Sequence, residues 1–354
     1  MSTIRIATFN IENFFDRAKV MWLDWDKGRK KLELVAELQS ELRQPVFDKK
    51  KITALQKQLK GYAEIQEVRG KWKSTKGRDG FLGWVELTRE PVRNDAQLNT
   101  ARTIAELDAD ILCLCEVESR PVLERFHNQV LMQMFKQRIQ PYGYIFLIDG
   151  NDDRGIDVAI MSRHKIEDVK THIWDRTRDD GGQLIFSRDC LELKIALDSG
   201  PKLAVLINHF KSKGYGRPAD NDAKRKAQAE RVKEILASGY NPGNDLAVVA
   251  GDLNDTPDSD PLSPLMGLQG LYNVVERLPA DERWTHRYRN EGSQIDYLLV
   301  SDPLKNALGE VRIERRGMFG VPPNTPGYVK SFTEVKNEAS SASDHAPIVA
   351  EFSV

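Results

Sequence analysis

Residues 247–255 read AVVAGDLND and join a short apolar run to a polar turn. Aliphatic and small residues ahead of a turn signal predict a buried strand, and Gly251 marks the point where the chain turns. Asp252 and Asn254 follow directly. Strand ends on a rigid scaffold are common places for active sites, so this motif predicts one, although GDLND alone could form a simple Asx turn.

Other segments share this clustering of aliphatic residues between turn residues, and each predicts a buried strand. They are residues 4–9, 111–115, 156–161, 191–195, 203–207, 295–300 and 348–352. Apolar residues at helical spacing predict helices. These lie at residues 99–107, 122–135 and 223–236. Strands interleaved with helices and hairpins predict an α/β (α+β) sandwich.

Polar residues also stand at the ends of other predicted strands. They occur in FNIE (Asn10, Glu12), LCEV (Glu116), INHFK (Asn208, His209, Lys211), QIDY (Asp296) and SDHAP (Asp344, His345). Each could be an ordinary turn or surface residue when taken alone. Asp296 is the hardest to explain in this way, because a carboxylate within an apolar strand needs a partner.

Together these residues form one chemical inventory. Hard divalent cations prefer carboxylate oxygens, which Glu12, Glu116 and Asp344 could supply. Asp252 could serve as the base for a water nucleophile, and Asp296 could orient a histidine. Donors for a phosphorane are also present. They are Asn254, Asn208, His209 and His345. This set is typical of metal-assisted phosphoryl transfer.

The motif order resembles the endonuclease/exonuclease/phosphatase superfamily. That superfamily includes exonuclease III, deoxyribonucleases and inositol polyphosphate phosphatases. The motifs run from N-x-E through G-D-L-N to S-D-H-x-P, over residues 8–347. NHFKSKG and GDLNDTPDSDPL are most similar to a bacterial group of predicted nucleases. The resemblance implies a four-layer sandwich, in which two mixed β-sheets are flanked by helices and form one site at a shared edge.

The resemblance also implies roles for individual residues. It makes Glu116 the principal metal carboxylate and places three other residues in or beside the metal shell. They are Asn10, Glu12 and Asp344. It makes Asp252 the residue that orients or deprotonates the attacking water. Mg²⁺ or Mn²⁺ is the expected ion, since carboxylates dominate the set and no Cys/His cluster at finger-like spacing suggests zinc.

At the phosphate, the resemblance places Asn254 and a His345–Asp296 pair. His209 matches a second histidine of the deoxyribonuclease and phosphatase branches, with Asp157 as a suggested partner. Three residues are expected to bind substrate. They are Asn208, Lys211 and Arg154.

Residues 19–90 depart from the family pattern. They are rich in Lys, Glu, Gln and Leu and predict two amphipathic helices that break near Gln44 and Pro45. A basic loop, RGKWKSTKGRDG at residues 69–80, and a strand at about 81–87 follow. We expect an insertion within a single domain that spans residues 1–354. The basic loop could select substrate, or the whole segment could be a solvated hairpin.

The chain has 354 residues, a formal net charge of −1 and three cysteines, of which Cys113 and Cys115 lie in a predicted core strand. The near-zero net charge argues against a protein that coats nucleic acid by charge alone, but it permits a local basic groove. The mean hydropathy is −0.50. With neither an apolar membrane-spanning run nor a signal-like N-terminus, we expect no membrane association and a cytoplasmic location.

The leading hypothesis is therefore a Mg²⁺- or Mn²⁺-dependent phosphoric ester hydrolase that acts on nucleic acid. Basic residues after His209 and a pair at 315–316 favour it, although the first group could equally be a solvated helix face. A second hypothesis keeps the chemistry but changes the substrate to a phosphoinositide, a phospholipid headgroup or a small nucleotide. A silent binding module is disfavoured, because each expected catalytic position carries the expected residue type.

Overall fold

The computed structural model describes residues 3–14, 18–67, 70–71, 81–89, 94–178, 181–198, 200–214, 216–288 and 291–354. The chain divides into two compact units: Met1–Phe15 with Arg93–Val354, and Asp16–Val92. The second unit nearly coincides with the insertion predicted at residues 19–90. Whether both units form one domain stays a prediction.

The structure contains strands and helices that we number in chain order. The strands are β1 (Thr3–Phe14), β2 (Ala63–Glu67), β3 (Gly70–Lys71), β4 (Gly83–Leu87), β5 (Ile111–Val117), β6 (Tyr144–Leu147), β7 (Asp157–Ser162), β8 (Lys165–Lys170), β9 (Cys190–Ala196), β10 (Lys202–His209), β11 (Leu246–Asp252), β12 (Leu271–Asn273), β13 (His286–Tyr288), β14 (Glu291–Ser293), β15 (Asp296–Ser301), β16 (Leu308–Ile313) and β17 (Ile348–Ser353). The helices are α1 (Trp25–Leu42), α2 (Lys49–Gln58), α3 (Asn94–Leu107), α4 (Arg120–Phe126), α5 (Met132–Phe135), α6 (Pro218–Gly239), α7 (Ser263–Met266) and α8 (Asp302–Asn306).

Two six-stranded mixed sheets dominate the larger unit. The first has the order β16-β17-β1-β5-β7-β6, and the second has the order β12-β15-β11-β10-β9-β8. Near the middle of each sheet lies a parallel pair, β1 with β5 and β10 with β11, whereas the other neighbours are antiparallel. Parallel neighbours end at the same edge of a sheet, so these pairs bring their terminal side chains together.

The two sheets pack face to face over a common apolar core. Alternate residues such as Ile6 of β1, Val205 of β10 and Val248 of β11 lie in that core, as the strand period of two requires. A second apolar cluster joins the outer face of the first sheet to α3 and α4, and a third joins the second sheet to α6 and α7. The predicted four-layer sandwich of two mixed sheets flanked by helices is confirmed.

All eight strands predicted for the sandwich are present, but four strands of the sheets had no prediction. All four lie at sheet edges, and two of them, β8 with sequence KIEDVK and β16 with LGEVRI, carry charged side chains. Charges protect a sheet edge from pairing with other chains, and they hide the apolar alternation that identifies a strand. The helix predicted at 122–135 is interrupted by a π-helical turn at His127–Leu131.

The smaller unit confirms the predicted helix pair. Helix α1 ends at Leu42, just before Gln44 and Pro45, and Asp48 caps α2 by accepting hydrogen bonds from two backbone N–H groups. Apolar residues of both helices form one buried cluster with Val85 of β4. Apart from the backbone of Gly70 and Lys71, most of the predicted basic loop lies outside the described residues.

The three cysteines are free thiols in buried positions, as expected for core residues. Among the described residues, none of the helices has both the length and the apolar character needed to cross a bilayer.

Candidate active site

The predicted catalytic residues converge at one edge of the sandwich, around the carboxylate of Asp252. Its Oδ2 accepts a hydrogen bond from Nδ2 of Asn10 at 3.0 Å. Nε2 of His209 lies 3.6 Å from the same oxygen, and Nε2 of His345 lies 4.0 Å from it. The backbone N–H of Asn254 donates to Oδ1 at 2.8 Å. Both sheets therefore contribute to one cluster.

Asp252 is buried, with 2% of its surface exposed. Loss of hydration, followed by repulsion from Asp296, raises its pKa to about 7. A carboxyl group with a pKa near the working pH is suited to general base catalysis, because it can be deprotonated and still accept a proton.

His345 and Asp296 form a buried pair. Nδ1 of His345 lies 2.8 Å from Oδ2 of Asp296, which fixes the ring and directs Nε2 toward Asp252. Burial opposes protonation of the ring, but Asp296 and Asp252 raise the pKa of His345 well above its ordinary value. The backbone N–H of His345 donates to Oγ of Ser343, which in turn donates to the carbonyl of Asn10.

Three acidic side chains, Glu12, Glu116 and Asp344, lie beside this pair; we call them the acidic triad. Glu12 accepts a hydrogen bond from the backbone N–H of Asp344 at 3.0 Å. Glu116 lies 3.4 Å from Nδ2 of Asn10. Loss of hydration and then repulsion by Asp344 raise the pKa of Glu12 to about 7. Carboxylates that repel one another are a suitable environment for a divalent cation, but these three are not among the groups of described side chains whose ligand atoms already converge.

His286, which had no predicted role, also lies at this site. Its Nε2 is 3.7 Å from Oδ2 of Asp344, and its ring centroid is 4.8 Å from that of His345. A β-bridge between His286 and His345 holds the two rings together. Within the described residues, two groups of side chains could each converge on a metal ion. They are His286, Asp344 and His345, and Asp252, Asp296 and His345.

Unusual backbone geometry directs several site residues. Glu12, Glu116 and Asn254 have φ of 50°, 65° and 55°, and only Asp108 shares a positive φ among the other described non-glycine residues. The strand register also shifts next to Glu116. In regular alternation Glu116 would face away from Cys115, whose side chain lies in the core between the sheets. A positive φ at a non-glycine residue costs of order 1–3 kcal/mol and is typical of functional positions.

Gly251 is required by the close approach of β10 to β11. Its φ is 125°, and a Cβ placed there would lie 1.9 Å from the carbonyl oxygen of Asn208. The glycine of the GDLN motif therefore serves the strand pairing that brings His209 opposite Asp252.

Strand alternation separates Asn208 from His209. His209 lies on the face of β10 that meets the other sheet. Asn208 lies on the opposite face, together with Leu206, which packs toward α6. Asn208 has 0% of its surface exposed, and its Nδ2 donates to the carbonyl of Leu206. The structure thus does not bring Asn208 to the open side of the site, where a substrate contact was expected.

His209 and Asp157 are not hydrogen-bonded to each other among the described residues. Asp157 accepts from the backbone N–H of Gly150, and Nδ1 of His209 has no partner there. Arg154 pairs instead with Asp152, at 3.0 Å. Lys211 is half-buried, and its Nζ donates to the carbonyls of Ser212 and Gly214.

Most basic residues expected to form a phosphate-attracting surface near the site are instead engaged locally. The ion pairs are Lys213 with Asp255, Arg217 with Asp220, Arg225 with Asp255 and Asp222, Lys226 with Asp260, and Arg316 with Glu314 and Glu106. Arg315 is 4% exposed and donates to backbone carbonyls. Nearby carboxylates and carbonyls therefore hold most of these charges, and they offset part of the local positive charge that the sequence predicts.

The model of the Endonuclease/Exonuclease/phosphatase family matches residues 65–345. The chain belongs to the endonuclease/exonuclease/phosphatase family. Members of this family are divalent-metal-dependent hydrolases of phosphoester bonds. The predicted family resemblance is thus confirmed. The matched range contains every site residue discussed here except Asn10 and Glu12, which are assigned from the N-x-E motif and their geometry.

Solved structures of family proteins share the fold. One from Bacteroides vulgatus has 14% identity and a TM-score of 0.53, with 100% of both chains covered. One from Bacteroides thetaiotaomicron has 15% identity and a TM-score of 0.54, with 100% of this chain and 99% of the other covered. An AP endonuclease from Archaeoglobus fulgidus has 17% identity and a TM-score of 0.50, with 73% of this chain and 95% of the other covered. No curated protein matches the sequence.

Proposed function

We propose that this family member is a nuclease that hydrolyses phosphodiester bonds of DNA or RNA with an activated water molecule. The observation that supports this best is the position of Asp252. It has a pKa of about 7 and lies between two histidines beside the acidic triad. A base, a cationic donor and a set of metal ligands are thereby present within one site, as in-line phosphoryl transfer requires.

The residues of the chain have distinct roles in this proposal. The acidic triad, with Asn10 beside it, would hold a divalent ion, Mg²⁺ or Mn²⁺, which when bound polarises a phosphoryl oxygen. Asp252 orients the water and takes its proton. His345, protonated and held by Asp296, donates through Nε2 to the negative charge that develops on the phosphoryl oxygens. Hydrolysis of this kind would leave a 5′-phosphate and a 3′-hydroxyl.

Asn254 and His209 complete the arrangement. In this proposal Asn254 contacts the phosphate, and the hydrogen bond from its side chain to the carbonyl of Phe210, at 3.1 Å, supports the role by fixing the amide. Burial, followed by repulsion from Arg188 and His345, lowers the pKa of His209 well below its ordinary value. The neutral ring can therefore donate to, or accept from, the substrate without adding a charge.

A substrate panel tests the proposal. It contains plasmid, single-stranded DNA, RNA, inositol phosphates, sphingomyelin and bis-nitrophenyl phosphate, each with Mg²⁺, with Mn²⁺ and with EDTA. We expect cleavage of a nucleic acid, loss of activity in EDTA and recovery with either ion. Full activity after complete metal removal would refute the mechanism, and cleavage confined to sphingomyelin or inositol phosphates would refute the substrate class.

A small nucleotide is the second candidate substrate, and a specific observation favours it. Most of the basic side chains near the site are held in ion pairs, so the described part of the larger unit does not show an extended track of free cations for phosphates. Cleavage of dinucleotides at the same kcat/KM as long strands would favour this candidate over a nuclease of polymers.

A further inference from the structure

The carbonyl oxygen of Phe210 links the proposed catalytic residues to a second, cationic region. It accepts hydrogen bonds from Nδ2 of Asn254 and from Nη1 of Arg188, each at 3.1 Å. Arg188 is only 2% exposed, and its Nε pairs with Asp152 at 2.9 Å. Asp152 also binds Arg154, so one carboxylate is shared by two guanidinium groups.

One face of α6 adds a lysine to this region. Asn221, Arg225 and Gln228 of α6 all hydrogen-bond to backbone groups of the segment 211–214. Lys224 lies one turn before Gln228 on that face, since residues four apart stack along a helix. Lys224 is half-buried, and the described residues offer it no ion pair.

Several positive charges influence one another here. Arg154 and Arg188 both pair with Asp152, Lys211 and Lys224 lie within electrostatic range of Arg188, and Glu116 and Asp252 of the site also act on Arg188. Burial and then repulsion by Arg188 lower the pKa values of Lys211 and Lys224, and Arg154 also contributes at Lys211. Cations that repel one another in a partly dehydrated place are stabilised by an anion.

We infer that Arg154, Arg188, Lys211 and Lys224 form a subsite for a second phosphate group of the substrate, next to the phosphate that is cleaved. The inference rests on the proposed function, because it names the kind of phosphodiester that the site takes. A substrate with neighbouring phosphates, such as an oligonucleotide or a phosphorylated dinucleotide, would fill this cationic subsite. A diester with one phosphate, such as sphingomyelin, would leave it empty.

Position distinguishes the cationic subsite from the place of the scissile phosphate. Asn254 lies between them, with its backbone tied to Asp252 and its side chain tied to the carbonyl that Arg188 also binds. The acidic triad and His345 lie on the Asp252 side. Arg188 and Lys224 therefore contact the part of the substrate beyond the bond that breaks.

Calorimetric binding of two small probes tests the inference without turnover. Thymidine 3′,5′-bisphosphate and thymidine 3′-monophosphate are compared on the full chain with Mg²⁺. The variant is Lys224→Met, and the matched control is Lys226→Met. Lys226 lies on the same helix but pairs with Asp260. Each variant should melt like the wild type, since both side chains are partly exposed.

We expect the wild type to bind the bisphosphate at least about tenfold more tightly, a factor that corresponds to roughly 1.4 kcal/mol. Lys224→Met should remove most of that preference, and Lys226→Met should retain it. Equal binding of both probes by the wild type, or an equal loss for both probes in Lys224→Met, would overturn the subsite. If the wild type cleaves no diester, the proposed function is refuted but the subsite is not, because calorimetry measures binding and not cleavage.

Discussion

At the scale of single residues, Asp252 is the group whose charge the proposed reaction needs most directly. Asp252→Asn keeps the size of the side chain but removes the basic oxygen, so kcat should fall by at least ~10²-fold. Turnover of bis-nitrophenyl phosphate measures this. Asp168→Asn, on the exposed edge strand β8, is a matched control and should behave as wild type. Comparable rates in the two variants would show that Asp252 is not the base.

Asp296 should act on turnover mainly through His345. His345→Ala and Asp296→Asn are each expected to lower kcat, the former by ~10²-fold or more, as for a lost transition-state donor. Because the two side chains form one hydrogen-bonded pair, the double variant should be no slower than His345→Ala alone. Additive losses of activity would mean that Asp296 has an independent role.

A substitution at Gly251 tests the close approach between the backbones of β10 and β11. In Gly251→Ala the new Cβ would meet the carbonyl of Asn208, so the free energy of unfolding should fall by more than about 2 kcal/mol. Gly143→Ala is the control, since nothing lies within 4 Å of a Cβ added at Gly143. Urea denaturation compares both with the wild type. Equal stability of the two variants would contradict the close approach.

Single residues also show where sequence reasoning succeeded and where it could not. The candidate site could be predicted because several of its members, such as Glu116, His209 and Asp252, stand at or near the ends of buried strands, whereas Asp296 begins β15 and His345 precedes β17. His286 and Arg188 were missed, since His286 meets His345 across 59 positions and Arg188 has no motif of its own. Asn208 lies on the face of β10 opposite to His209, and its contact with a substrate stays a prediction. The motif alone does not show which face each residue occupies.

At the scale of elements, β8, β9 and α6 are joined by a polar cluster around Glu192. This buried carboxylate binds His172 at 3.0 Å, Lys170 at 3.1 Å and the hydroxyl of Tyr240 at 2.7 Å. Burial works against ionisation, but His172, Tyr240 and Lys170 together lower the pKa of Glu192 to about 2. An unfolded glutamate has a pKa of about 4.3, so the folded state binds the proton less readily.

The pH dependence of stability follows from this difference. Because the folded pKa is depressed, the stabilisation from Glu192 is fully present above about pH 5 and is lost as the pH falls toward 2. Wild type should therefore exceed Glu192→Gln in unfolding free energy at pH 7, and the gap should narrow steadily below pH 4. Urea titrations at several pH values measure it. A gap that is constant with pH would show that charge is not involved.

Elements also differed in how well the sequence predicted them. Central strands such as β5, β10 and β11 were predicted because burial on both faces leaves continuous apolar runs. Edge strands β8 and β16 were not, since their charges suit solvent and break the pattern. The helix at 122–135 was predicted as continuous, but apolar spacing does not reveal the π-helical turn within it.

At the scale of the whole molecule, we propose that the basic loop of the unit Asp16–Val92 selects the substrate. Alanine at Lys71, Trp72, Lys73, Lys76 and Arg78 should raise KM for long DNA or RNA much more than KM for bis-nitrophenyl phosphate. Salt should also weaken polymer binding less steeply, because fewer counterions are released. Equal effects on both substrates would make the unit a structural addition without a role in selection.

The pairing of β1 with β17 has a consequence for folding. Thr3 lies opposite Ser353, so this part of the sheet joins segments that are far apart in the sequence, and such long-range pairing forms slowly. Asp344 and His345 lie just before β17. The proposed site is therefore complete only after these two distant segments have met, and a partly folded chain in which they are still apart would not hold His345 beside Asp252.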